Sequence, residues 1–455
     1  RTSTVGARGR TVLLSLLFLV LGLAVSDGQL PGRRTGWFGR ERHTMERELE
    51  EELRALQFPA NCTEAKLLVR DYKPCGMGCS LHWIMAFLTI GLSMRRTVIF
   101  QGDWGYTSLE SPFCQPYSLG QSVTDQWNAS WHNVNSSSRS LKNWKNAPVG
   151  DVYPKTGFDC YFLPLSSCSV GDITEESHVV TKEESILLLK NSSYEGLDTH
   201  RCITMNGGNG PFFSLSRTLV PDRYKPLKFL WWRAQLANYV FRPNLRVQDW
   251  LSFSCDAPEL YQPLGGGCVL HEERFTIGIQ VRRGDKLAGE AAGYEYVEYM
   301  KYARHLSENK TKQGQVFLIS DSNDVKSEAS SRVYMPAMYF TDGQHGLVKF
   351  RQRNKTFEGY DQRRLRSPTY NRTREALGII RDLDIAADCN AFVGTFSSNV
   401  GRLAYELMLG RSGQREYASY PPAVTLDWVR KKTETPAIVG EEEFSQQIMD
   451  WVAIP

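Results

Sequence analysis

Apolar and polar segments alternate regularly in the second half of the chain, beyond Gly267. The apolar runs there are typical of strands buried in a parallel sheet; they are "RFTIGIQV", "QVFLIS", "AMYFT" and "AFVGT". Helical patterns separate these runs, through "YEYVEYMKYARHL", "DVKSEAS", "TREALGIIRDLDIAADC" and "NVGRLAYELML". Repeated β-α units of this kind predict a doubly wound parallel sheet, which binds ligands beyond the carboxyl ends of its strands.

The first half of the chain mixes helical and strand patterns less regularly. A strand is predicted at "AKLLV", a buried helix at "LHWIMAFLTIGL" and a second strand at "RRTVIF". The apolar segment "PLKFLWWRAQLANYVFRP" predicts a further helix that ends at Pro243. A chain of 455 residues is too long for one ordinary core, so two domains or lobes are expected. Residues 342–371 form an insertion long enough to be a lid or an acceptor-side element.

An amphipathic helix is predicted ahead of the first strand, at "TMERELEEELRALQF". Its apolar stripe consists of Met45, Leu49, Leu53 and Leu56, and acidic residues flank it. Such a helix could be a stalk, a short segment that pairs two copies into a homodimer, or a helix packed on its own domain. The sequence leaves these alternatives open.

The N-terminus indicates a secretory route. Arg8 and Arg10 precede the apolar run "TVLLSLLFLVLGLAVS", which is shorter than the roughly 20 residues of a spanning helix. This pattern predicts a signal peptide or a signal anchor, and "AVS" would serve as a cleavage site. In either case the bulk of the chain is expected on the lumenal or outer side of a membrane.

Sequons, cysteines and charge agree with that compartment. The Asn-x-Ser/Thr sequons are at Asn61, Asn128, Asn135, Asn191, Asn309, Asn354 and Asn371. Ten cysteines in such a chain predict mostly disulfides. A zinc site is the alternative, but "CGMGC" has no second Cys/His pair at ligand spacing. The formal net charge of +4 is too small to argue for nucleic acid, so any anion site is expected to be local.

The segment "GIQVRRGDKL" follows the first predicted strand of the second half and has two interpretations. Arg283, Gly284 and Asp285 spell an integrin-binding tripeptide, but the buried strand leading into them argues against an exposed adhesion loop. At the carboxyl end of a strand, Arg282 or Arg283 suits bidentate contact with a diphosphate. An arginine pair held in local salt bridges is the structural alternative.

Three further groups are candidates for chemistry. Glu290 precedes a helix and could accept a proton from a substrate hydroxyl, or simply stabilise the helix start. Ser397 and Ser398 precede another helix, whose free N–H groups can bind phosphate, although capping alone would also explain them. Asp382 belongs to an Asp-x-Asp pattern inside a predicted helix, which favours contact with a base edge over a metal.

Taken in order from about Glu51 to Leu409, five segments resemble the core α1,6-fucosyltransferases. "LRALQFPANCTEAKLLV" and "KPCGMGCSLHW" resemble that family's entry into its catalytic domain, and "LWWRAQLANYVFRP" resembles its Trp-Trp helix. "VRRGDKLAGEAA" resembles its His-Val-Arg-Arg-x-Asp-Lys-x-x-x-Glu-Ala-Ala motif, and "FVGTFSSNVGRLAYE" its Phe-x-x-Thr-Phe-Ser-Ser segment. The resemblance implies a two-lobed, inverting glycosyltransferase B-type fold. It also implies transfer of fucose from GDP-fucose to O6 of the innermost GlcNAc of an N-glycan, without a metal or other cofactor.

By position, the resemblance implies that Arg282 holds the β-phosphate and that Glu290 deprotonates the acceptor hydroxyl. Lys286 would act beside Glu290 as a proton partner or charge neutraliser. A primary alcohol is a poor nucleophile, which requires a base, and arginine, lysine and a helix N-terminus can stabilise the charge on the leaving GDP. Arg283 and Asp285 are expected to brace the loop.

The remaining implied roles concern the nucleotide and the acceptor. Asp382 would contact the guanine edge, Ser398 and its helix would bind phosphate, and Asp321 and Tyr299 match acceptor-side or site-shaping positions. The residues expected to bind substrate are Gln280, Arg283, Asp285, Tyr299, Asp321, Asp382, Ser397 and Ser398.

This chain departs from the family pattern at several positions. Gln280 replaces the histidine before Val-Arg-Arg, so it can offer amide hydrogen bonds to guanine or ribose but cannot carry a proton. Ser322 replaces an expected aspartate, and Gly394 and Gly401 replace two cysteines together, as loss of a disulfide requires. Only an acidic tail follows about Trp428, so the family's C-terminal SH3-like domain is not expected. The resemblance implies retained disulfides between Cys75 and Cys79 and between Cys62 and Cys114.

The predicted organisation has five parts. A signal segment (1–27) and a linker with a stem helix (28–58) precede an open α/β lobe (59–266). A Rossmann-like GDP-fucose-binding domain (267–415) and a tail (416–455) follow. The chain is expected in the Golgi membrane with a lumenal catalytic domain, or as a secreted soluble form. Its expected partners are GDP-fucose and an N-glycan or glycoprotein, and not nucleic acid. Two alternatives stay open, namely a fucosyltransferase with another acceptor and a catalytically silent glycan-binding relative.

Overall fold

The computed structural model describes the chain in segments. They are residues 44–73, 75–107, 111–114, 157–173, 177–191, 194, 196–205, 216–256, 275–283, 293–307, 314–329, 339–340, 372–414, 419–427 and 437–438. The N-terminal apolar run, the predicted loop 342–371, and Asp285, Lys286 and Glu290 lie outside these segments. So do five of the seven sequon asparagines, all except Asn61 and Asn191.

The first half folds around a small parallel sheet. Its elements are α1 (Thr44–Gln57), β1 (Leu67–Asp71), α2 (Met77–Met94), β2 (Thr97–Gln101), β3 (His178–Val180), α3 (Lys182–Asn191), β4 (Cys202–Met205), α4 (Lys228–Val240) and α5 (Leu245–Asp256). The strands lie in the order β2-β1-β4-β3, and every pairing is parallel. The apolar runs of β1 and β2 are buried because helices and loops cover the sheet.

The second half forms a larger sheet. Its elements are β5 (Phe275–Val281), α6 (Tyr296–Ser307), β6 (Gly314–Ser320), α7 (Asn323–Ala329), β7 (Tyr339–Phe340), α8 (Arg372–Ala387), β8 (Ala391–Gly394), α9 (Asn399–Ser412), β9 (Ala423–Thr425) and β10 (Ala437–Ile438). The strand order is β10-β9-β8-β5-β6-β7, parallel except for the antiparallel β9–β10 pair. The predicted α/β fold, with two sheets and a doubly wound second half, is confirmed.

The second sheet extends beyond the boundary predicted at residue 415. Strand β9 pairs in parallel with β8, and β10 adds to β9. Val424 and Leu426 are fully buried in the same apolar core as Ile277 and Ile279 of β5. The prediction that 416–455 is only a tail is therefore wrong. The run around β9 is too short to show strand periodicity, and only pairing with β8 identifies it.

Helix α1 packs on its own lobe. Leu49 and Leu53 are 1% exposed, and the side-chain amide of Gln57 is enclosed. Gln57 donates to the carbonyls of Val98 and Leu165 at 3.2 and 3.1 Å and accepts from the Val98 N–H at 2.8 Å. Two of the four stripe residues are thus buried within the chain, which agrees with a helix packed on its own domain, and a homodimer through this helix stays a prediction.

Helices from both halves meet at α9, which packs against α2, α4 and α8. Within the described residues, α2 is the helix long and apolar enough to cross a membrane, but it is mostly buried inside the protein. Trp231 and Trp232 of α4 are also fully buried. Burial on all sides explains why both helices are apolar all round. A membrane anchor at the N-terminus stays a prediction.

The disulfides differ from the expected pairing in one respect. Cys75 pairs with Cys79, as expected. Cys62 pairs with Cys168, with Cα atoms 5.3 Å apart, and Cys114 pairs with Cys160, with Cα atoms 4.5 Å apart. The predicted Cys62–Cys114 bridge is therefore wrong. Partners 106 residues apart are brought together by the fold, which spacing along the chain does not reveal.

Candidate active site

Arg282 lies at the carboxyl end of β5, where a doubly wound sheet binds ligands. Its guanidinium forms an ion pair with Asp321, which follows the adjacent strand β6, with Nη1 2.6 Å from Oδ2. Both side chains are largely buried, at 13% and 7% exposure. The register of β5 and β6, which ends with Val281 opposite Ser320, places the two residues side by side.

Arg283 points into a different set of contacts. Its guanidinium pairs with Glu328 of α7 and donates to the carbonyl of Tyr294 at 3.1 Å. Glu328 also accepts from the Tyr296 N–H at 3.1 Å, at the start of α6. Hydrogen bonding from Arg283 lowers the pKa of the Glu328 carboxyl. The backbone N–H of Arg283 donates to Asp321 at 2.8 Å. Asp321 therefore contacts both consecutive arginines, the side chain of Arg282 and the backbone of Arg283.

The loop between β8 and α9 is fixed by residues at the end of β9 and just beyond it. The Phe396 N–H donates to Thr425 Oγ1 at 3.0 Å, and the Ser397 N–H donates to Asp427 at 3.1 Å. The Ser397 hydroxyl donates to the same carboxylate. Burial raises the pKa of Asp427, although the hydrogen bonds from Ser397 oppose that rise. Sequence reasoning missed Asp427 because it lies in the predicted tail.

Ser398 caps α9. Its side chain accepts from the Gly401 N–H at 3.5 Å, as the N-cap position requires. This contact agrees with the capping interpretation of the Thr-Phe-Ser-Ser segment, and a phosphate role for Ser398 stays a prediction. The helix N-terminus itself lies at the carboxyl edge of the sheet, because β8 leads directly into it.

Gln280 is buried against this loop rather than at the surface, with 3% of its area exposed. Its side-chain oxygen accepts from the Thr395 hydroxyl at 3.3 Å. A Cβ atom on Gly401 would lie 2.8 Å from that oxygen, and one on Gly394 would lie 3.6 Å from the Gln280 Cβ. The glutamine thus lies beside the two positions where the family pattern has cysteines. Three departures from that pattern, at Gln280, Gly394 and Gly401, are therefore neighbours in the fold.

Tyr299 and Asp382 are also buried. Tyr299 of α6 is 1% exposed, and burial raises the pKa of its phenol. Asp382 of α8 is 2% exposed, while Asp384 of the same Asp-x-Asp pattern pairs with Arg411 at 2.8 Å. The helical setting expected for this pattern is present. Contact of Tyr299 or Asp382 with a substrate stays a prediction.

A buried ionic cluster joins the two halves and was not anticipated from the sequence. His82 Nε2 of α2 lies 2.9 Å from Glu406 Oε2 of α9, and Arg233 Nε of α4 lies 2.8 Å from Glu406 Oε1. The carboxylate can only accept, so His82 Nε2 is the donor. His82 Nδ1 lies 3.1 Å from the side-chain oxygen of Asn399, the first residue of α9. His82 and Glu406 are 324 positions apart, which no local pattern could connect.

Stability should depend on pH through this cluster. Burial lowers the pKa of His82 from 6.5 to about 4, outweighing the attraction of Glu406. Burial alone would raise the pKa of Glu406, but Arg233 and His82 outweigh it and lower the value from 4.5 to about 2. Both folded-state pKa values lie below those of the unfolded chain, so the unfolded state binds protons first on acidification.

We therefore expect the free energy of unfolding to fall as pH decreases from 6.5 to 4 through His82, and from 4.5 to 2 through Glu406. The His82 contribution should be about 3 kcal/mol. Urea titrations across this range measure it. His82→Gln should remove the part between pH 6.5 and 4. An unchanged pH profile in that variant would contradict the assignment.

Within the described segments, no group of three or more His, Cys, Asp or Glu side chains lies close enough together to hold a metal ion. Metal independence of any reaction stays a prediction. The structure brings Arg282 together with Asp321, and Gln280 together with the Thr395–Ser398 loop. Glu328, Asp427 and the His82 cluster are the site-supporting residues that sequence reasoning missed.

Comparison with known proteins gives a family and several relatives. The family model described as alpha-(1,6)-fucosyltransferase N- and catalytic domains matches residues 23–140 and 150–419. An alpha-(1,6)-fucosyltransferase of Drosophila melanogaster is 26% identical over 388 residues, covering 82% of this chain and 48% of that protein. One of Caenorhabditis elegans is 23% identical over 417 residues, covering 89% of this chain and 60% of that protein. The chain thus spans about half to three-fifths of the length of these relatives.

Solved structures are more distant. The chain is similar to NodZ alpha-1,6-fucosyltransferase soaked with GDP-fucose, with a TM-score of 0.40 and 14% identity over 82% of this chain and 99% of that one. It is also similar to a mutant of Arabidopsis thaliana FUT1 in complex with GDP, with a TM-score of 0.43 and 13% identity over 81% of this chain and 78% of that one.

Proposed function

Because the chain belongs to the alpha-(1,6)-fucosyltransferase family, matched across the first sheet and strands β5 to β8 of the second, we propose that it transfers L-fucose from GDP-fucose to a glycan hydroxyl. The observation that carries this proposal is the arrangement at the carboxyl edge of the second sheet. Arg282 emerges there beside Asp321, and the capped start of α9 follows β8 at the same edge. A cation and a helix N-terminus together suit the diphosphate of a sugar nucleotide.

The proposed acceptor is O6 of the innermost GlcNAc of an N-glycan, and the reaction inverts the anomeric centre. Glu290 acts as the general base on the acceptor hydroxyl, with Lys286 beside it. Arg282 and the start of α9 stabilise the charge that develops on the leaving GDP, so the proposal includes no metal. The catalytic region is proposed to lie in the Golgi lumen, held by the N-terminal apolar segment or released from it.

Neutralisation of Arg282 by Asp321 is compatible with this role. The ion pair keeps the guanidinium ordered and largely buried at the edge of the sheet. A guanidinium has five N–H donors in a fixed planar arrangement, so one arginine can contact a carboxylate and a diphosphate together. Asp321 also holds the backbone of Arg283 at 2.8 Å, so the strand end is braced while Arg282 contacts the ligand.

One assay tests donor, acceptor and linkage together. The purified lumenal region is incubated with GDP-fucose and a panel of defined N-glycans, with and without EDTA, and products are analysed by mass spectrometry. We expect a single added fucose on the reducing-terminal GlcNAc in both conditions. Fucose found on another sugar would contradict the core GlcNAc as acceptor. A reaction abolished by EDTA would contradict metal independence. No product with any glycan would favour a silent glycan-binding relative.

A further inference from the structure

The start of α9 is held closely by the first half of the chain. Gly78, in the first turn of α2, contacts the backbone where α9 begins. A Cβ atom there would lie 2.7 Å from the carbonyl carbon and oxygen of Asn399 and 2.9 Å from the Val400 nitrogen. Any side chain at this position would have to move one helix away from the other. The close approach therefore places the two helix starts in direct contact.

The first turn of α2 is itself fixed. The Cys75–Cys79 disulfide spans Gly78, and the Met77 N–H donates to the Tyr106 hydroxyl at 2.9 Å. The "CGMGC" motif thus forms a rigid turn in which Gly78 faces α9. This assigns the motif a structural task that its spacing alone did not reveal.

The ionic cluster holds the same helix one turn further on. His82 contacts both Asn399, at the start of α9, and Glu406, two turns along it. Arg233 supplies the compensating charge from α4. Glu406 is fully buried and His82 is 2% exposed. Buried ion pairs often stabilise less than an apolar pair of similar volume, so stability alone is a weak explanation for this arrangement.

We propose that His82, Glu406 and Arg233 are positioning residues for the donor diphosphate. They hold the first turn of α9 at a fixed depth beside the β8–α9 loop, so that its N–H groups and Arg282 face the ligand together. This inference rests on the proposed function, because it assumes that α9 binds the diphosphate. A ligand contact of this kind loses strength steeply with small displacements of the donors, which is why positioning matters.

The chain offers a matched control for this role. Thr89 lies on α2 and also reaches α4, since its hydroxyl accepts from the Trp232 indole N–H at 3.1 Å. It is buried like His82 but lies two turns further along α2, and its hydroxyl bonds with Met85 and Trp232 rather than with α9 in the described part of the chain. Thr89→Val removes this hydrogen bond with little change of volume. It therefore measures how far stability and GDP affinity change when the α2–α4 contact is disturbed and the contact of His82 with Asn399 is kept.

The experiment compares His82→Phe, His82→Gln and Thr89→Val with the wild-type chain. GDP affinity is measured by calorimetry, KM for GDP-fucose and kcat by product formation, and stability by thermal unfolding. His82→Phe is expected to raise both the Kd for GDP and KM about tenfold, with a much smaller change in kcat. His82→Gln keeps a donor toward Glu406 and should recover part of the affinity. Thr89→Val should lower Tm but leave the Kd unchanged.

The outcomes separate positioning from stability. If both His82 variants bind GDP as tightly as the wild type, or if Thr89→Val loses as much affinity, the positioning role is overturned. If His82→Phe does not fold, the His82→Gln comparison decides by the same criterion. A wild-type chain that binds GDP without transferring fucose contradicts the proposed reaction but leaves this test intact. A wild-type chain that binds no GDP contradicts both.

Discussion

Glu290→Gln is expected to lower kcat by about a thousandfold, within the range that general base catalysis contributes. The amide has nearly the shape of the carboxylate but cannot accept the proton of the acceptor hydroxyl. The donor diphosphate is bound by other groups, so the Kd for GDP should change less than threefold. Glu290 lies outside the described residues, and its role rests on the "VRRGDKLAGEAA" motif. Initial rates at saturating GDP-fucose and acceptor, with calorimetry of GDP, measure both quantities.

A chemical control distinguishes a base from a binding contact. Glu290→Asp keeps the carboxylate but shortens its reach, so it should retain more turnover than glutamine does. A pH–rate profile of the wild type should show loss of kcat on the acid side as the base becomes protonated, and the residual rate of Glu290→Gln should lack this limb. Turnover by Glu290→Gln equal to that of the wild type would remove Glu290 as the base.

Arg282→Ala is expected to weaken GDP binding by about tenfold to a hundredfold, because charge-assisted hydrogen bonds to phosphate contribute about 1.5–3 kcal/mol. The side chain lies at the carboxyl end of β5, and its orientation is fixed by Asp321 at 2.6 Å. Arg282→Lys should restore only part of the affinity, since an ammonium group lacks the planar bidentate geometry. Calorimetric titration with GDP gives the affinities, and circular dichroism checks that each variant is folded.

The partner carboxylate requires its own control. Arg282→Ala leaves Asp321 without that ion pair, and its negative charge would then repel the diphosphate. The double variant Arg282→Ala/Asp321→Asn removes this repulsion while keeping the side-chain shape. If the loss of affinity comes from missing phosphate contacts, the double variant should bind GDP as weakly as Arg282→Ala. Recovery of wild-type affinity in the double variant would assign the effect to Asp321, and unchanged affinity in Arg282→Ala would refute the phosphate role.

Much of the second half could be predicted from local pattern. The strands β5, β6 and β8 and the helices between them lie where continuous apolar runs and helical periodicity place them. The sequence also located Arg282 at a strand end and Ser398 at a helix start, and both positions are confirmed. These features depend on neighbours close in the chain, which is why a single sequence suffices for them.

Side-chain environments were less predictable. Gln280 was expected to offer hydrogen bonds to guanine or ribose; in the structure its amide oxygen accepts from Thr395 with Gly401 close beside it, and contact with a nucleotide stays a prediction. Strand alternation predicts which residues share a face, whereas the space available depends on what packs there from another element. Asp427 was missed because it lies in the predicted tail, and its partner Ser397 comes from the distant β8–α9 loop.

The sequence by itself determined the α/β class, the places of strands β5 to β8 along the chain, and the segments in which candidate chemistry lies. Only the tertiary structure decided that α1 packs inward, that Cys62 pairs with Cys168, and that His82 meets Glu406. The physical reason is the range of the interactions. Periodicity arises from backbone geometry over a few residues, whereas disulfides and buried ion pairs depend on distances between residues that the folded core brings together.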